Sequence, residues 1–307
     1  MFISAVVCSH SLENYNNLIE AVDSLLNQTH SEKEIIVVVD GNKQLYEKVV
    51  GQFRGNEAVK TILVENNIGV SGSRNAGIKM ARGDIIAFMD DDAVADREWM
   101  DKLIATYRDY DAIGVGGKIL PVWTQGEPDY LPEELYWLAG ATHKGFAEEK
   151  IGEVRNAFGP NMSFRREVFA KVGMFNENLG FAERRAFYIQ AEEPEFALRV
   201  RRELGKGVMY NPAAIIYHRI APSKLKVGVL LKRAFYQGYS KALMKELDIT
   251  ADSIATEKSY LRDLLLVYMP GRLRRFYRLT ELKKLCFTVV SIIAVGLGFI
   301  YGNLKRN

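Results

Sequence analysis

Residues 34–40, Glu-Ile-Ile-Val-Val-Val-Asp, form an unbroken β-branched run that ends on an acid and Gly41. A strand with one wet face alternates apolar and polar side chains. An unbroken run has both faces covered, as in a parallel sheet between layers of helices. Three more segments extend the pattern: 2–8, 60–64 (KTILV) and 84–89, which ends in Asp90-Asp91-Asp92. Between them, residues 14–27 place Leu18, Val22, Leu25 and Leu26 on one helical face, 43–53 suit a short helix, and Ser71 to Arg82 is helical. The repeated strand–helix order predicts an α/β fold with a doubly wound, mostly parallel, Rossmann-like sheet. Ligands of such sheets bind beyond the carboxyl ends of the strands, where Asp40 and Asp90 lie.

Past residue 110 the alternation loosens. Strands are expected near 112–119, 155–165 and 207–217, and helices at 97–107, 166–172 and 193–204. This gives an α/β domain over 1–220, a basic amphipathic helical region over 221–284, and an apolar helix over 285–301. Hydrophobic residues make up 48% and charged residues 26%, which excludes disorder and collagen-like repeats. Net charge is +3, yet residues 221–307 carry 16 Lys and Arg against 6 Asp and Glu, while the first 220 residues carry 25 against 32. An acidic body on a basic tail points to a membrane surface or a polyanion as the tail's partner.

Leu285 to Tyr301 contains 17 residues without a charge, bracketed by Lys283-Lys284 and Lys305-Arg306. As a helix it is about 26 Å long, a little under the ~30 Å of a hydrocarbon core. It either crosses a bilayer, inserts shallowly or packs as a terminal helix. Arg272, Arg274, Arg275, Arg278, Lys283 and Lys284 favour anionic headgroups and the cytoplasmic side of a cell membrane. The apolar start, 2–8, is short and lacks a basic leader, so it is expected to be a buried strand and not a secretory signal. Cys8 and Cys286 lie far apart without metal spacing, which excludes a disulfide framework and a zinc ribbon.

The acidic triplet carries the chemistry. Strand alternation turns Asp90 and Asp92 to one side and Asp91 away. Two converging carboxylates repel unless a cation sits between them, and hard oxygens suit Mg2+ or Mn2+. The competing reading is a helix-capping turn, with Asp92 or Asp96 capping the helix at 97–107.

Val38-Val39-Asp40-Gly41-Asn42, Asn67-Ile68-Gly69-Val70-Ser71-Gly72-Ser73-Arg74-Asn75-Ala76-Gly77 and Gly83-Asp84-Ile85-Ile86-Ala87-Phe88-Met89-Asp90-Asp91-Asp92 together resemble the GT-A family 2 glycosyltransferases. The order and spacing fit across residues 2–218. The wording is most similar to archaeal members that extend dolichyl-phosphate-linked sugars in N-glycan assembly, glucosyl-dolichyl phosphate glucuronosyltransferases among them. The resemblance implies an enzyme that transfers sugar with inversion from a UDP-sugar to a lipid-linked saccharide, with Mn2+ or Mg2+. Its partners are then the donor, the lipid acceptor and the membrane, with no nucleic acid. Two alternatives are a dolichyl-phosphate monosaccharide synthase and a non-catalytic membrane scaffold of this fold.

By resemblance, Ser9 and His10 stand where the family usually has Thr-Tyr beside the base, and Asp40 matches the acid on the base or ribose. Arg74 matches the basic residue near uracil and diphosphate, or else makes a surface ion pair with Asp40 or Asp84. Gly72, Asn75 and Gly77 allow a close backbone turn beside it. Asp90 and Asp91 join the nucleotide-sugar set, and Asp90 and Asp92 are the metal pair. His218 either completes the metal site or is an ordinary polar residue. Gly159-Pro160-Asn161 resembles an acceptor-side segment, with Asn161 either meeting a sugar hydroxyl or making a turn. Glu193 falls where the family has the general base, although it replaces Asp, and Glu192 is its rival. An acidic helix start before Pro194 is compatible with both. Arg184 and Arg185 could face an acidic donor sugar or the lipid phosphate. The Gln-x-x-Arg-Trp motif of processive synthases is absent, which implies one sugar per encounter.

Overall fold

The computed structural model describes residues 1–147, 149–180, 191–247 and 255–305. They form two compact units: one from within 1–120, 149–186 and 192–218, the other from within 121–148, 187–191 and 219–307.

The sheet contains β1 (Ile3–Ser9), β2 (Lys33–Asp40), β3 (Val59–Val64), β4 (Ile85–Asp90), β5 (Ala93–Ala95), β6 (Gly114–Trp123), β7 (Gly152–Val154), β8 (Met162–Arg165) and β9 (Val208–Ile220). Its order is β3-β2-β1-β4-β8-β6-β9-β5, with β7 beside β9. The first four strands are parallel, as expected from the β2 run, which is buried from Glu34 to Asp40. Beyond β4 the sheet is mixed, because β8 runs antiparallel to both β4 and β6, and β5 and β7 run antiparallel to β9.

The helices of this unit are α1 (Tyr15–Leu26), α2 (Lys43–Gln52), α3 (Gly69–Met80), α4 (Trp99–Asp109), α5 (Arg166–Val172) and α6 (Glu192–Leu204). The core on the α3 and α6 face joins Val6, Ile36, Val38 and Phe88 to Phe164, Phe169, Phe175 and Phe196. Phe196 meets Phe164 edge-on at 4.9 Å and stacks on Phe169 at 5.3 Å. The expected close turn around Gly72, Asn75 and Gly77 is instead helical. A Cβ at Gly77 would lie 2.4 Å from Val6 Cγ1, so glycine lets α3 lie close on β1.

In the second unit lie α7 (Val227–Leu247), α8 (Ala255–Asp263), α9 (Met269–Leu273) and α10 (Leu279–Leu304). The basic amphipathic helical region expected over 221–284 is not one continuous helix. A π-helical turn, Leu264–Tyr268, leads directly into α9, and the break follows α9, where the chain turns over 274–278 and Arg278 is extended before α10. Arg272 then turns inward to Glu134 (2.7 Å) and Glu281 (3.2 Å). The apolar run lies wholly inside α10.

Within the first unit, buried Glu34 ties three elements together. It accepts from Ser4 Oγ (2.7 Å), Lys60 Nζ (2.8 Å), Arg82 N (2.7 Å) and Arg82 Nε (3.1 Å). Burial resists its charge, but the hydrogen bonds from Lys60, Ser4 and Arg82 outweigh burial and hold the carboxyl down at about 2. Its stabilisation is therefore complete above the ordinary glutamate value and is lost as pH falls toward 2. Glu34→Gln is expected to lower the urea midpoint at pH 7 and to flatten the stability loss between pH 5 and pH 2, measured by urea titration at each pH.

Candidate active site

Three strands bring acids and hydroxyls to one sheet end. Asp40 closes β2 and is only 5% exposed. Its carboxylate accepts from Ile68 N (2.9 Å) and Gly69 N (3.0 Å), so it caps α3 and starts that helix two residues earlier than expected. Ser9 closes β1 and donates to Asp91 Oδ2 at 2.5 Å, and Asn14 Nδ2 approaches the same carboxylate at 3.3 Å. Burial, and then the charge of Asp92, push Asp91 up to about 7. His10 is exposed, and its carbonyl accepts from Asn42 Nδ2.

After Asp90 the chain turns, and β5 pairs antiparallel with β9 in a register that sets Ala93 opposite His218. The turn, and not strand alternation, separates Asp91 from its neighbours. His218 Nε2 lies 3.0 Å from Asp92 Oδ1, and one ligand atom each from Asp90, Asp92 and His218 lies within 4.8 Å of the others. Asp92 caps no helix: α4 begins after Glu98, whose N–H donates to Asp96 Oδ1. Two carboxylate oxygens and one imidazole nitrogen this close form a donor set that could hold a divalent metal ion.

Arg74, on α3, is also only 5% exposed. It is no surface ion pair with Asp40 or Asp84. Its guanidinium faces Glu193 (3.5 Å), Glu192 (3.6 Å) and Asp90 (4.0 Å), and Nη1 is buried without a hydrogen-bond partner among the described residues. Burial pulls its pKa down, but Glu193, Glu192 and Asp90 outweigh burial and raise it. Phe175 lies under the guanidinium at 5.8 Å. The two glutamates stand in the first turn of α6, whose N-terminal dipole favours anions.

Asn161 is not where the acceptor segment placed it. It is fully buried, its Oδ1 accepts from Trp99 Nε1 (2.9 Å), and its Nδ2 donates to Lys118 O (3.0 Å) and Ala214 O (2.9 Å). Both amide N–H groups are used inside the protein, and the side chain has no exposure through which to meet a sugar hydroxyl. Its neighbour Gly159 is the residue that sequence reasoning missed: a Cβ there would lie 2.3 Å from Glu193 Oε1 and 2.4 Å from Arg74 Nη2. The Gly-Pro-Asn spelling marked the segment, but not which residue of it mattered. Arg184 and Arg185 lie outside the described residues.

The sequence profile described as glycosyl transferase family 2 matches residues 4–173, more than half of the chain. The chain belongs to glycosyltransferase family 2. It is 37% identical to a glucosyl-dolichyl phosphate glucuronosyltransferase of Haloferax volcanii, over 100% of this chain and 98% of that protein. It is 29% identical to the uncharacterized glycosyltransferase EpsJ of Bacillus subtilis, over 78% of this chain and 71% of that one. Among solved structures, the mannosyltransferase PcManGT from Pyrobaculum calidifontis, in complex with GDP-Man and Mn2+, has a TM-score of 0.67 at 13% identity. The match covers 97% of this chain and 87% of that one. S. aureus TarS 1–349 in complex with UDP has a TM-score of 0.54 at 16% identity, covering 94% and 89%. At these identities the likeness is one of fold.

Because Gly159 leaves no room for a methyl group, Gly159→Ala should push Glu193 and Arg74 apart. We expect a stability loss of about 1–3 kcal/mol, the usual range for overpacking, and a drop of at least about tenfold in glycosyl transfer. Urea titration and an activity assay on the same preparation check both.

Proposed function

We propose that this family 2 member is an inverting, metal-dependent enzyme that moves a sugar, glucuronate in our reading, from a UDP-linked donor to a dolichyl-phosphate-linked saccharide in glycan or N-glycan assembly. The acceptor class and the sugar follow the whole-chain likeness to the Haloferax protein. The observation that carries the reading is the convergence of Arg74, Glu192 and Glu193 on the Asp90–Asp92–His218 cluster.

In this reading Asp90, Asp92 and His218 hold Mn2+ or Mg2+, which would supply positive charge to neutralise the diphosphate leaving group. Arg74 brings a permanent charge beside it, and its Nη1, which makes no hydrogen bond among the described residues, is a donor for a phosphate oxygen. Ser9, His10, Asp40 and Asp91 shape the nucleotide side. Asp40 already accepts two backbone hydrogen bonds, and a carboxylate has further lone pairs for a base N–H or ribose hydroxyl. Glu193 is the general base, with a side chain 19% exposed against 8% for Glu192, and so is the easier of the two for an acceptor to reach. The acceptor hydroxyl gives its proton to Glu193 as its oxygen bonds the anomeric carbon, and the bond to the diphosphate breaks on the opposite side. Glu192 then keeps Arg74 in place. Arg184 and Arg185 are kept for an acidic donor sugar or the lipid phosphate. α10 and the basic residues before it hold the enzyme at the cytoplasmic face of the cell membrane.

Full-length protein with Mn2+ or Mg2+, given UDP-glucuronate and dolichyl-phosphate-glucose, should yield the disaccharide lipid. Transfer to bare dolichyl phosphate instead would assign the synthase reaction, and no transfer from any UDP-sugar would overturn the proposal. Asp90→Ala and Asp92→Ala should abolish transfer and remove the metal-dependent part of UDP binding, read by calorimetry with and without Mn2+. Glu193→Gln should lose about 10²-fold or more in turnover while UDP affinity stays unchanged. A loss of UDP binding in Glu193→Gln would move the base role to Glu192.

A further inference from the structure

The helix that contains the apolar run has two unlike sides. Leu279, Ile293, Leu297, Ile300 and Leu304 are each half or more exposed, and Val290 adds to the same stripe. Their spacing of three or four residues, or multiples of it, puts them on one face of α10. The other face, with Leu285, Phe287, Thr288, Ser291, Gly298 and Gly302, is buried by the chain itself.

What covers that face is not membrane-like. In the first half of α10, Lys283 pairs with Asp129 at 2.6 Å, and Phe287 meets the Tyr130 ring at 5.2 Å in a cluster with Leu131 and Leu135. In the second half, α7 lies alongside. A Cβ at Gly238 would fall 1.9 Å from Val295 O, one at Gly298 would fall 1.8 Å from Phe235 O, and one at Gly302 would fall 2.7 Å from Ala242 Cβ. Glycines are what let the two backbones approach so closely. Yet α7 carries Lys232, Arg233, Gln237 and Lys241 in this same stretch, and Arg233 Nη1 donates to Leu138 O at 2.8 Å.

At about 1.5 Å per residue α10 is roughly 39 Å long, enough to cross a ~30 Å core. Crossing would draw the charges of α7 and the irregular backbone of residues 124–132 into hydrocarbon beside it. Lipid tolerates neither when exposed: charges are costly there, and non-helical backbone lacks partners. An orientation parallel to the surface avoids both costs. It offers the apolar stripe to the acyl boundary and leaves the covered face to the protein. The segment just before α10 fits such a surface, with exposed Phe276 and Tyr277 among exposed Arg274, Arg275 and Arg278. Aromatic rings and basic groups together suit an anionic headgroup layer.

We infer that α10 does not span the bilayer but lies in the plane of one leaflet of an anionic phospholipid membrane, with its Ile293–Leu297–Ile300 stripe in the acyl boundary and α7 on its protein side. This refines the membrane attachment in the functional reading above and rests on that part of it alone. The experiment uses full-length protein bound to the outside of sealed phosphatidylglycerol/phosphatidylcholine vesicles. One protease site is appended after Asn307 and another is placed at the exposed Gly126 turn. Added protease is expected to cut both, whereas protection of the C-terminal site alone would establish a span and overturn the inference. Ile293→Asp/Leu297→Asp should weaken vesicle binding at least tenfold while UDP affinity, which reports an intact fold, is unchanged. Undiminished vesicle binding in that variant, or a wild-type protein that ignores vesicles and buries the stripe in a dimer, would equally overturn it. Loss of sugar transfer with both sites cut would count against the functional reading and not against this topology.

Discussion

A buried guanidinium among carboxylates organises the site. Arg74 is removed from water on α3, and that placement is sustainable only because Asp90 arrives from β4 and Glu192 and Glu193 arrive from α6. Each carboxylate in turn depends on Arg74, since like charges this close repel. The distances of 3.5–4.0 Å are longer than hydrogen bonds, so one guanidinium faces three carboxylates in a cluster that is not closed. Arg74 Nη1 makes no hydrogen bond among the described residues, and the Asp90 side chain is 39% exposed. Gly159 packs directly against this group, which makes the backbone of the Gly-Pro-Asn segment part of its wall.

Around that centre, polar side chains act as joints between elements. Asp40 turns the start of α3 toward the site by accepting its first free N–H groups. Asn75 holds the same helix from its other side, exchanging hydrogen bonds with the backbone of Phe175. Asn161 links α4 through Trp99 to the β6 and β9 backbones, and so supports the strand that delivers His218. Each is buried and satisfied, and an unsatisfied partner left by its removal would carry the full desolvation cost.

The second unit uses the same device for a different end. Arg272 is held between Glu134 and Glu281, tying the 121–148 segment to α9 and α10. Tyr260 reinforces it by donating to Glu134 O while accepting from Trp137 Nε1. Among the six basic residues that composition assigns to a membrane surface, Arg272 is therefore the buried centre of a structural ion-pair group. Counting charges could not separate Arg272 from Arg274, Arg275 and Arg278, because the difference is a matter of which way each side chain turns.

Local physics alone determined the parallel half of the sheet. A β-branched run such as 34–40 suits a strand covered on both faces, and an acid followed by glycine ends it at the carboxyl edge of the parallel strands. The pairing of Asp90 with Asp92 and the acidic start of α6 were legible for the same reason, because each depends on neighbours in sequence. Contacts between distant residues were decided only by the tertiary structure. The β5–β9 register chose His218 as companion to Asp92 across more than a hundred residues. Packing, not spelling, spent Asn161 internally and gave its neighbour Gly159 the place against Glu193. The covered face of α10 likewise depends on residues 121–148, which lie far upstream in the chain. Periodicity reports which side of an element is apolar, but what comes to cover that side is set by the rest of the fold.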